Sequence, residues 1–322
     1  MIETNKYTEK TIPREDIVYV VEFCNTETSS QLLAVGTDSK ISVYQCKFPE
    51  EDEDVEEFEY DQLCDLQNGC RATAIAWSPE TTITTLPRTL RFAVAGSDRR
   101  IRVFSTDLKG NDSVQILEGH TDFVNSLTFD PDTGDQLASV GDDRWCQIWD
   151  REGNQHLRFP LSAPGMSVCW HREEPMKVMV GQKNGVIKIF SLSGQQQLMS
   201  FDTGQVPLME ADWSVGNKGL LVGAVAGTDW FMFDVSVSSR PVERRQIHVE
   251  GARHFRWAKC HDSLVATVGR PGRQIRVFNT KHQQTPLTIS QPITYSISWH
   301  QKFPALAAGG DQKVHIYMFD SL

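Results

Sequence analysis

The sequence predicts an all-β protein of the seven-bladed propeller class, and three repeated features carry this prediction. The first is a short apolar segment that ends in an aromatic residue and recurs seven times along the chain. Its terminal aromatics lie 41 to 54 residues apart, close to the length of one four-stranded blade. They are Phe23, Trp77, Phe129, Trp170, Trp213, Trp257 and Trp299.

The second feature is an apolar strand, a polar turn and a further β-rich strand that come after the aromatic. Residues 32–44, 91–104, 177–190 and 305–317 show this pattern, with Asp or Asn in the turn. Asp, Asn and Gly between runs of Val and Ile are typical of β-hairpins. Each unit therefore supplies several antiparallel strands.

The third feature is the stretch 117–150, which contains Gly119-His120 near its start and ends in Trp149-Asp150. This Gly-His to Trp-Asp frame is the signature of one WD40 blade. In such blades the Trp indole N–H, a Ser hydroxyl, a His and a turn Asp form a hydrogen-bond relay that stabilises the fold. By motif position the relay residues are Trp149, Ser139, His120 and Asp143.

We expect a single propeller domain over residues 1–322, closed into a ring by its N-terminal segment. The seventh unit reaches the end of the sequence without a fourth strand, and the segment from Tyr7 to Ile12 can supply it. Closing the ring in this way hides both free sheet edges.

The composition lacks the features that mark membrane-spanning or nucleic-acid-binding proteins. A formal net charge of −10 and a pI of about 5.4 argue against a surface that follows nucleic acid or anionic lipid. No apolar run approaches the ~20 residues that cross a bilayer, and the N-terminal segment has no hydrophobic signal sequence. The seven cysteines are scattered without a Cys-x-x-Cys pair, which favours reduced thiols in the cytosol or nucleus.

Two insertions break the period early in the chain. Residues 49–59 are an acidic run between the third and fourth strands of the first unit, and residues 81–90 lengthen the first loop of the second unit. In a propeller these two loops lie on the same face of neighbouring blades. We interpret the acidic run as a solvated loop, with docking of a basic partner as the alternative. Lys and Arg predominate between residues 240 and 281, so blades five and six are expected to be positive.

The sequence contains no constellation that indicates catalysis, metal binding or nucleotide binding. Ser139, His120 and Asp143 are the residue types of a hydrolase triad, but the motif puts the hydroxyl between strands, away from any cleft. Residues 130–135 lack the carboxylates of a calcium loop, and the histidines show no zinc-binding spacing. Phosphate-binding and dinucleotide-binding glycine motifs are absent from the sequence. We therefore predict a protein that is not an enzyme and that uses no cofactor, metal or small-molecule substrate.

The candidate partner-binding residues lie on the face that carries the loops into each first strand. Side chains there are larger or more apolar than their turns require, and exposed aromatic, Met and Arg residues are typical of interface hot spots. The alternative for the two tryptophans is that they fold back onto their own blades. The candidates are Trp145, Met166, Leu208, Trp230, Arg270 and Arg273.

Five segments give a resemblance more specific than the fold. Residues 76–80 (AWSPE), 117–125 (LEGHTDFVN), 162–171 (SAPGMSVCWH), 205–209 (QVPLM) and 223–230 (GAVAGTDW) are similar to the thirty-seven-kilodalton nucleoporin family of animals. The resemblance extends over essentially the whole chain, including the acidic insertion, and is closest between residues 117 and 230.

This resemblance implies a propeller subunit of the Y-shaped outer-ring scaffold of the nuclear pore. It implies docking onto other nucleoporins of that complex, chiefly the one-hundred-and-sixty-kilodalton subunit. It also implies a location at the nuclear envelope and, in mitosis, at kinetochores. The family carries no catalytic residues to transfer.

The competing class is an adaptor propeller of another complex, either a ubiquitin-ligase substrate receptor or a histone-tail reader. Ligase receptors commonly carry Arg two residues after Trp-Asp, but here Arg151 follows directly and Glu152 occupies that position. A histone reader needs an aromatic cage at the channel mouth, and Trp145 and Trp230 come from non-adjacent blades. The sequence therefore favours the nucleoporin scaffold.

Overall fold

Seven four-stranded antiparallel sheets, arranged as the blades of a propeller, make up the fold. The structure is a computed structural model that describes residues 7–51, 55–214, 216, 220–270, 274–281 and 287–319. Within these ranges the only helical element is a 3-10 turn at Glu27–Ser29, and no helix is long and apolar enough to cross a membrane. The prediction of an all-β, seven-bladed propeller is confirmed.

The chain enters the ring through β1 (Tyr7–Pro13) and then builds the first three blades in order. Blade 1 contains β2 (Val20–Phe23), β3 (Leu32–Gly36), β4 (Lys40–Lys47) and β5 (Glu59–Gln67). Blade 2 contains β6 (Ala72–Trp77), β7 (Leu90–Gly96), β8 (Ile101–Thr106) and β9 (Asp112–Leu117). Blade 3 contains β10 (Val124–Phe129), β11 (Leu137–Gly141), β12 (Trp145–Trp149) and β13 (Gln155–Pro160).

The remaining four blades continue the same order. Blade 4 contains β14 (Gly165–Trp170), β15 (Lys177–Gln182), β16 (Val186–Ser191) and β17 (Gln196–Asp202). Blade 5 contains β18 (Leu208–Trp213), β19 (Leu221–Ala226), β20 (Asp229–Asp234) and β21 (Glu243–Gln246). Blade 6 contains β22 (Gly251–Trp257), β23 (Leu264–Arg270), β24 (Gln274–Asn279) and β25 (Leu287–Ser290). Blade 7 contains β26 (Ser296–Trp299), β27 (Ala305–Gly310) and β28 (Lys313–Phe319), together with β1.

The hydrophobic core lies between the blades. The described residues form seven buried clusters, and each cluster takes its members from two neighbouring blades. The cluster between blades 2 and 3, for example, contains Ala93, Leu127 and Trp149. Burying one large apolar side chain contributes roughly 1.5–3 kcal/mol. Because every blade contributes to two clusters, the stability of the ring depends on contacts that only adjacent blades can make.

The N-terminal strand closes the ring as the sequence predicts. Strand β1 pairs antiparallel with β28, from Tyr7 opposite Phe319 to Pro13 opposite Lys313. Ile12 is 1% exposed and belongs to the cluster between blades 7 and 1. The outer strand of the last blade therefore comes from the start of the chain.

Removing one methylene from this closure tests its contribution to stability. Ile12→Val is expected to lower the free energy of unfolding by about 1 kcal/mol, because a buried group is lost without full collapse of the site. Chemical denaturation measures the change, and Thr11→Val, on the exposed face of the same strand, is the matched control. Equal denaturation midpoints for Ile12→Val and the wild type would show that the packing of this side chain on the closing strand adds little to stability.

The two insertions approach each other on one face, as their loop types predict. Phe48, Glu51 and Thr84 line the same surface cleft, and the Ser29 hydroxyl donates to the carbonyl of Thr81 at 3.3 Å. The base of the acidic insertion is anchored by Phe48, which is buried against Phe303 with ring centroids 4.6 Å apart. Residues 52–54, the centre of the acidic run, lie outside the described residues.

Candidate functional site

The top face of the propeller carries the loops into each first strand and the turns between second and third strands. The predicted relay lies at this face in blade 3. The Trp149 indole N–H donates to Ser139 Oγ at 2.8 Å, and Ser139 Oγ lies 2.7 Å from His120 Nε2. His120 Nδ1 lies 2.7 Å from Asp143 Oδ2, which completes the chain of hydrogen bonds. Gly119 gives the indole room, because a Cβ there would lie 2.8 Å from the Trp149 ring.

The relay is closed to any substrate. Ser139 is fully buried, and the side chains of His120 and Asp143 are 0% and 2% exposed. Burial alone would raise the pKa of Asp143, but the His120 hydrogen bond and charge outweigh it, with help from backbone N–H donors. The donors are the N–H groups of Thr121 at 3.1 Å and Trp145 at 3.2 Å. The carboxylate therefore ties the loop before the first strand to the turn between the second and third.

Blade 6 contains a partial copy of the relay that the sequence analysis missed. His248 Nε2 lies 3.0 Å from Thr267 Oγ1, and both residues occupy the blade-6 positions of His120 and Ser139. Phe278 stands at the tryptophan position, so the hydroxyl has no indole donor there. Burial lowers the pKa of His248 to about 4. This histidine is therefore neutral at neutral pH and serves the packing of its blade.

A β-bulge recurs at the top of the first strand in five blades. The pairing of first and second strands skips one residue in each of blades 2 to 6. A bulge leaves its extra residue out of the ladder and redirects the side chain. Each bulged residue lies four positions before the terminal aromatic, and Tyr19 and Tyr295 hold that position in blades 1 and 7. The seven equivalent residues are Tyr19, Thr73, Asn125, Met166, Met209, Arg253 and Tyr295.

These seven residues, termed the channel mouth, surround the upper end of the central channel. Neighbouring members reach across from blade to blade. The Thr73 hydroxyl donates to the carbonyl of Val124 at 2.9 Å, and the Asn125 amide donates to the carbonyl of Gly165 at 2.9 Å. The Tyr19 and Tyr295 rings lie 5.2 Å apart and join blade 1 to blade 7. All seven side chains are partly or fully exposed, so the channel mouth is accessible to a partner.

The structure describes five of the six candidate partner-binding residues, and three of these five are accessible. Met166 is part of the channel mouth and Arg270 is exposed at the end of β23, so both are on the top face. Trp145 begins the third strand of blade 3 and is half-buried under the Arg158 guanidinium, 4.6 Å from the ring centroid. It lies towards the rim of the blade, away from the channel. Arg273 lies outside the described residues.

Leu208 and Trp230 require a correction, because both side chains are 0% exposed. Leu208 packs in the cluster between blades 4 and 5. Trp230 packs in the cluster between blades 5 and 6, with its ring 5.4 Å from that of Phe278. The blade-5 turn is only two residues long, so Trp230 is the second residue of β20 and not part of the turn. Neither residue is available to a partner of the folded protein.

The sequence analysis missed most of the channel mouth. Tyr19, Met209, Arg253 and Tyr295 were not among the candidates. Their common signal was the fixed distance of four residues before each terminal aromatic. That register becomes informative only when the bulge is known to turn the side chain out of the strand.

Comparison with known proteins identifies the family. The family model for the WD domain, G-beta repeat, matches residues 111–150, the stretch that contains the relay. Human nucleoporin Nup37 is 43% identical over 309 residues, which cover 94% of this chain and 94% of that protein. The chain belongs to the Nup37 family of nucleoporins. Nup37 of Drosophila melanogaster is 30% identical over 312 residues, with 95% of both chains covered.

A further match covers a smaller part of the chain. Bovine coronin-7 is 32% identical over 164 residues, which are 49% of this chain and 16% of that protein. Among the described residues, no three His, Cys, Asp or Glu side chains are grouped to hold a metal ion. The family match and the fold together make the chain a WD-repeat nucleoporin.

Proposed function

We propose that this chain is a non-enzymatic scaffold subunit of the outer ring of the nuclear pore complex. In this role it docks onto a larger nucleoporin, chiefly the one-hundred-and-sixty-kilodalton subunit, and supports pore assembly and the transport of protein and mRNA. The observation that carries the proposal is the 43% identity to human nucleoporin Nup37 across 94% of both chains. The location that follows is the nuclear envelope at the pore, and the kinetochore in mitosis.

The physical character of the molecule supports a binding role. Ser139, His120 and Asp143, the residue types of a hydrolase triad, are buried and engaged in a structural relay. The accessible features are instead the channel mouth and the turns around it, with Trp145, Met166 and Arg270 as candidate contacts. A ring held by seven inter-blade clusters presents such a surface in a fixed shape, which reduces the entropy lost on binding.

The alternative as a ubiquitin-ligase receptor is weakened by the position of Arg151. Its guanidinium forms ion pairs with Glu80 at 2.7 Å and Asp135 at 2.9 Å, on neighbouring loops. These contacts engage Arg151 within the propeller instead of leaving it free for an adaptor.

The alternative as a histone-tail reader is weakened at the channel mouth. The tyrosine pair there lies close to cationic side chains, and the Arg71 guanidinium already stands 5.3 Å from the Tyr19 ring centroid. A methylated lysine would compete with this arginine and be repelled by it.

Affinity capture from nuclear extract tests the proposed function. The tagged full chain is expected to recover outer-ring nucleoporins as the dominant partners. Arg151→Gln serves as a matched control, because it removes exposed ion pairs of small energetic value and is expected to leave this recovery unchanged. Recovery of cullin-ligase adaptors that disappear with Arg151→Gln, or of histone-modifying subunits, would contradict the scaffold proposal.

A further inference from the structure

We propose that the channel mouth binds an acidic peptide segment of a partner protein, with Arg71, Arg253 and Arg270 contacting its carboxylates. This inference goes beyond the proposed function, because it concerns the chemistry of the bound segment and holds for any partner that carries one. Tyr19 and Tyr295 form the floor of the site, and Met166 and Met209 form its apolar side.

The aromatic and cationic side chains are brought together by adjacent blades. Tyr295 precedes the first strand of blade 7, and Tyr19 precedes the first strand of blade 1. Their ring centroids lie 5.2 Å apart at an angle of 38°, so the two rings are in contact across the boundary between blades 7 and 1. Arg71, at the start of blade 2, stacks over the Tyr19 ring at 5.3 Å from its centroid. Arg71 is exposed, so its charge is accessible to a bound carboxylate.

Arg253 and Arg270 lie close enough to repel each other. Arg253 is the bulged residue of β22, and Arg270 ends the strand that pairs with it. Partial burial and the positive charge of Arg270 together lower the pKa of Arg253. The charged form of Arg253 is disfavoured in this way, and an anion that binds beside the guanidinium would stabilise it.

The three arginines form no ion pair with an acidic side chain of the described residues. Within the described residues, no Asp or Glu oxygen lies within 4.0 Å of a side-chain nitrogen of Arg71, Arg253 or Arg270. Two arginines of blade 5 do form ion pairs, Arg244 with Asp229 at 2.6 Å and Arg245 with Glu243 at 2.9 Å. The acidic group at the channel mouth that acts on the tyrosine pair is Asp38, which hydrogen-bonds Tyr19, and it forms no ion pair with any of the three arginines.

The surroundings of the arginines fit a peptide with apolar residues beside the carboxylates. Val206 and Val249, on the loops that lead into blades 5 and 6, are 63% and 68% exposed. Together with Met166 and Met209 they provide apolar surface next to the cations. A carboxylate that bonds Arg253 and Arg270 would let a neighbouring aliphatic side chain cover this surface. Such a combination of a charge-assisted contact and apolar burial is typical of peptide recognition.

A nucleic-acid ligand fits these features less well. The rings of Tyr19 and Tyr295 are tilted by 38° to each other, and the Arg71 guanidinium lies 5.3 Å from the Tyr19 ring centroid, so the pair does not provide parallel platforms for successive bases. The net charge of −10 also opposes the approach of a polyanion. A short peptide with one or two carboxylates is repelled far less than a polyanion by this net charge, and it needs no stacking platform.

Selection from a random peptide library tests the inference. Twelve-residue peptides displayed on phage are selected on the purified full chain, and the enriched sequences are expected to carry Asp or Glu next to Leu, Ile, Val, Met or Phe. The strongest peptide is then synthesised with a fluorophore, and its affinity is measured by polarisation. Enrichment of neutral or basic sequences would overturn the proposal.

Matched arginine variants locate the binding site. Arg253→Gln and Arg270→Gln are each expected to lower the affinity for the peptide about tenfold, because each removes one charge-assisted contact. Arg88→Gln makes the same change at an exposed position on the opposite face and is expected to have no effect. Replacing the peptide carboxylate by its amide should weaken binding to the wild type about tenfold and add little to the loss in Arg253→Gln. An equal loss in all three arginine variants would contradict the proposed site, as would stronger competition from an oligodeoxythymidine of twelve nucleotides than from unlabelled peptide.

Discussion

Trp230→Ala is expected to lower the free energy of unfolding by about 3–5 kcal/mol, because it empties the core between blades 5 and 6. The side chain is 0% exposed and packs edge-on against Phe278 at 82°. Its neighbours Phe255 and Trp257 are also fully buried, so the site has little freedom to collapse around the cavity. Chemical denaturation followed by circular dichroism measures the loss.

Trp145→Ala is the matched control for this prediction. The same chemical change there removes a half-buried ring whose packing partner is the exposed Arg158, and a cation–π contact of this kind contributes about 0.5–1 kcal/mol. We expect Trp145→Ala to retain nearly the full stability and, as a candidate contact, to reduce nucleoporin capture. Trp230→Phe should retain most of the stability too, because the indole N–H has no hydrogen-bond partner among the described residues. A small loss for Trp230→Ala together with a large one for Trp145→Ala would reverse these assignments.

The contrast between the two tryptophans shows where sequence reasoning succeeds and where it ends. The repeat of terminal aromatics predicted the blades because each one occupies the same inter-blade position, as Trp77 and Trp257 do. The relay was predictable for the same reason, since one motif specifies four residues that must meet. Turn length is less visible. In blade 5, the residues Gly227, Thr228 and Asp229 are compatible with a turn of two residues or of four. The length of the turn decides whether Trp230 belongs to the turn or to the strand.

The channel mouth was hidden for a different physical reason. If the first strands alternated regularly, the side chains of Met209 and Arg253 would point between the blades, with the core residues. Nothing in the residue types indicates that a bulge turns them outward. The bulge depends on how β18 and β22 pair with the strands beside them. It is therefore a property of the paired sheet, and it became visible only with the register. The same holds for the unpaired arginines, because the absence of a nearby carboxylate depends on the arrangement of separate blades.

The second large effect is expected at the relay, where His120→Ala should lower the free energy of unfolding by about 2–4 kcal/mol. The change removes two hydrogen bonds and leaves the Ser139 hydroxyl and the Asp143 carboxylate without their histidine partner in a buried site. Each buried polar group that loses its partner costs roughly 1–3 kcal/mol. His156→Ala, an exposed histidine on the outer strand of the same blade, is the matched control and should change stability by less than about 0.5 kcal/mol.

The dependence of stability on pH in the acid range tests whether the hydrogen bonds of the relay stabilise the fold or whether its side chains contribute only packing. The pKa of Asp143 is lowered in the folded state, so its carboxylate stabilises the fold above the ordinary Asp pKa of about 3.9. That contribution is lost as the pH falls through the lowered pKa of the folded state. The stability gap between the wild type and Asp143→Asn should therefore be widest above about pH 4 and narrow below it. If the gap did not change with pH, or if His120→Ala melted with the wild type, the relay would not be what holds the top of blade 3 in place.

If both results are as expected, peptide binding at the channel mouth should survive in His120→Ala below its melting point, because no residue of the relay belongs to the mouth.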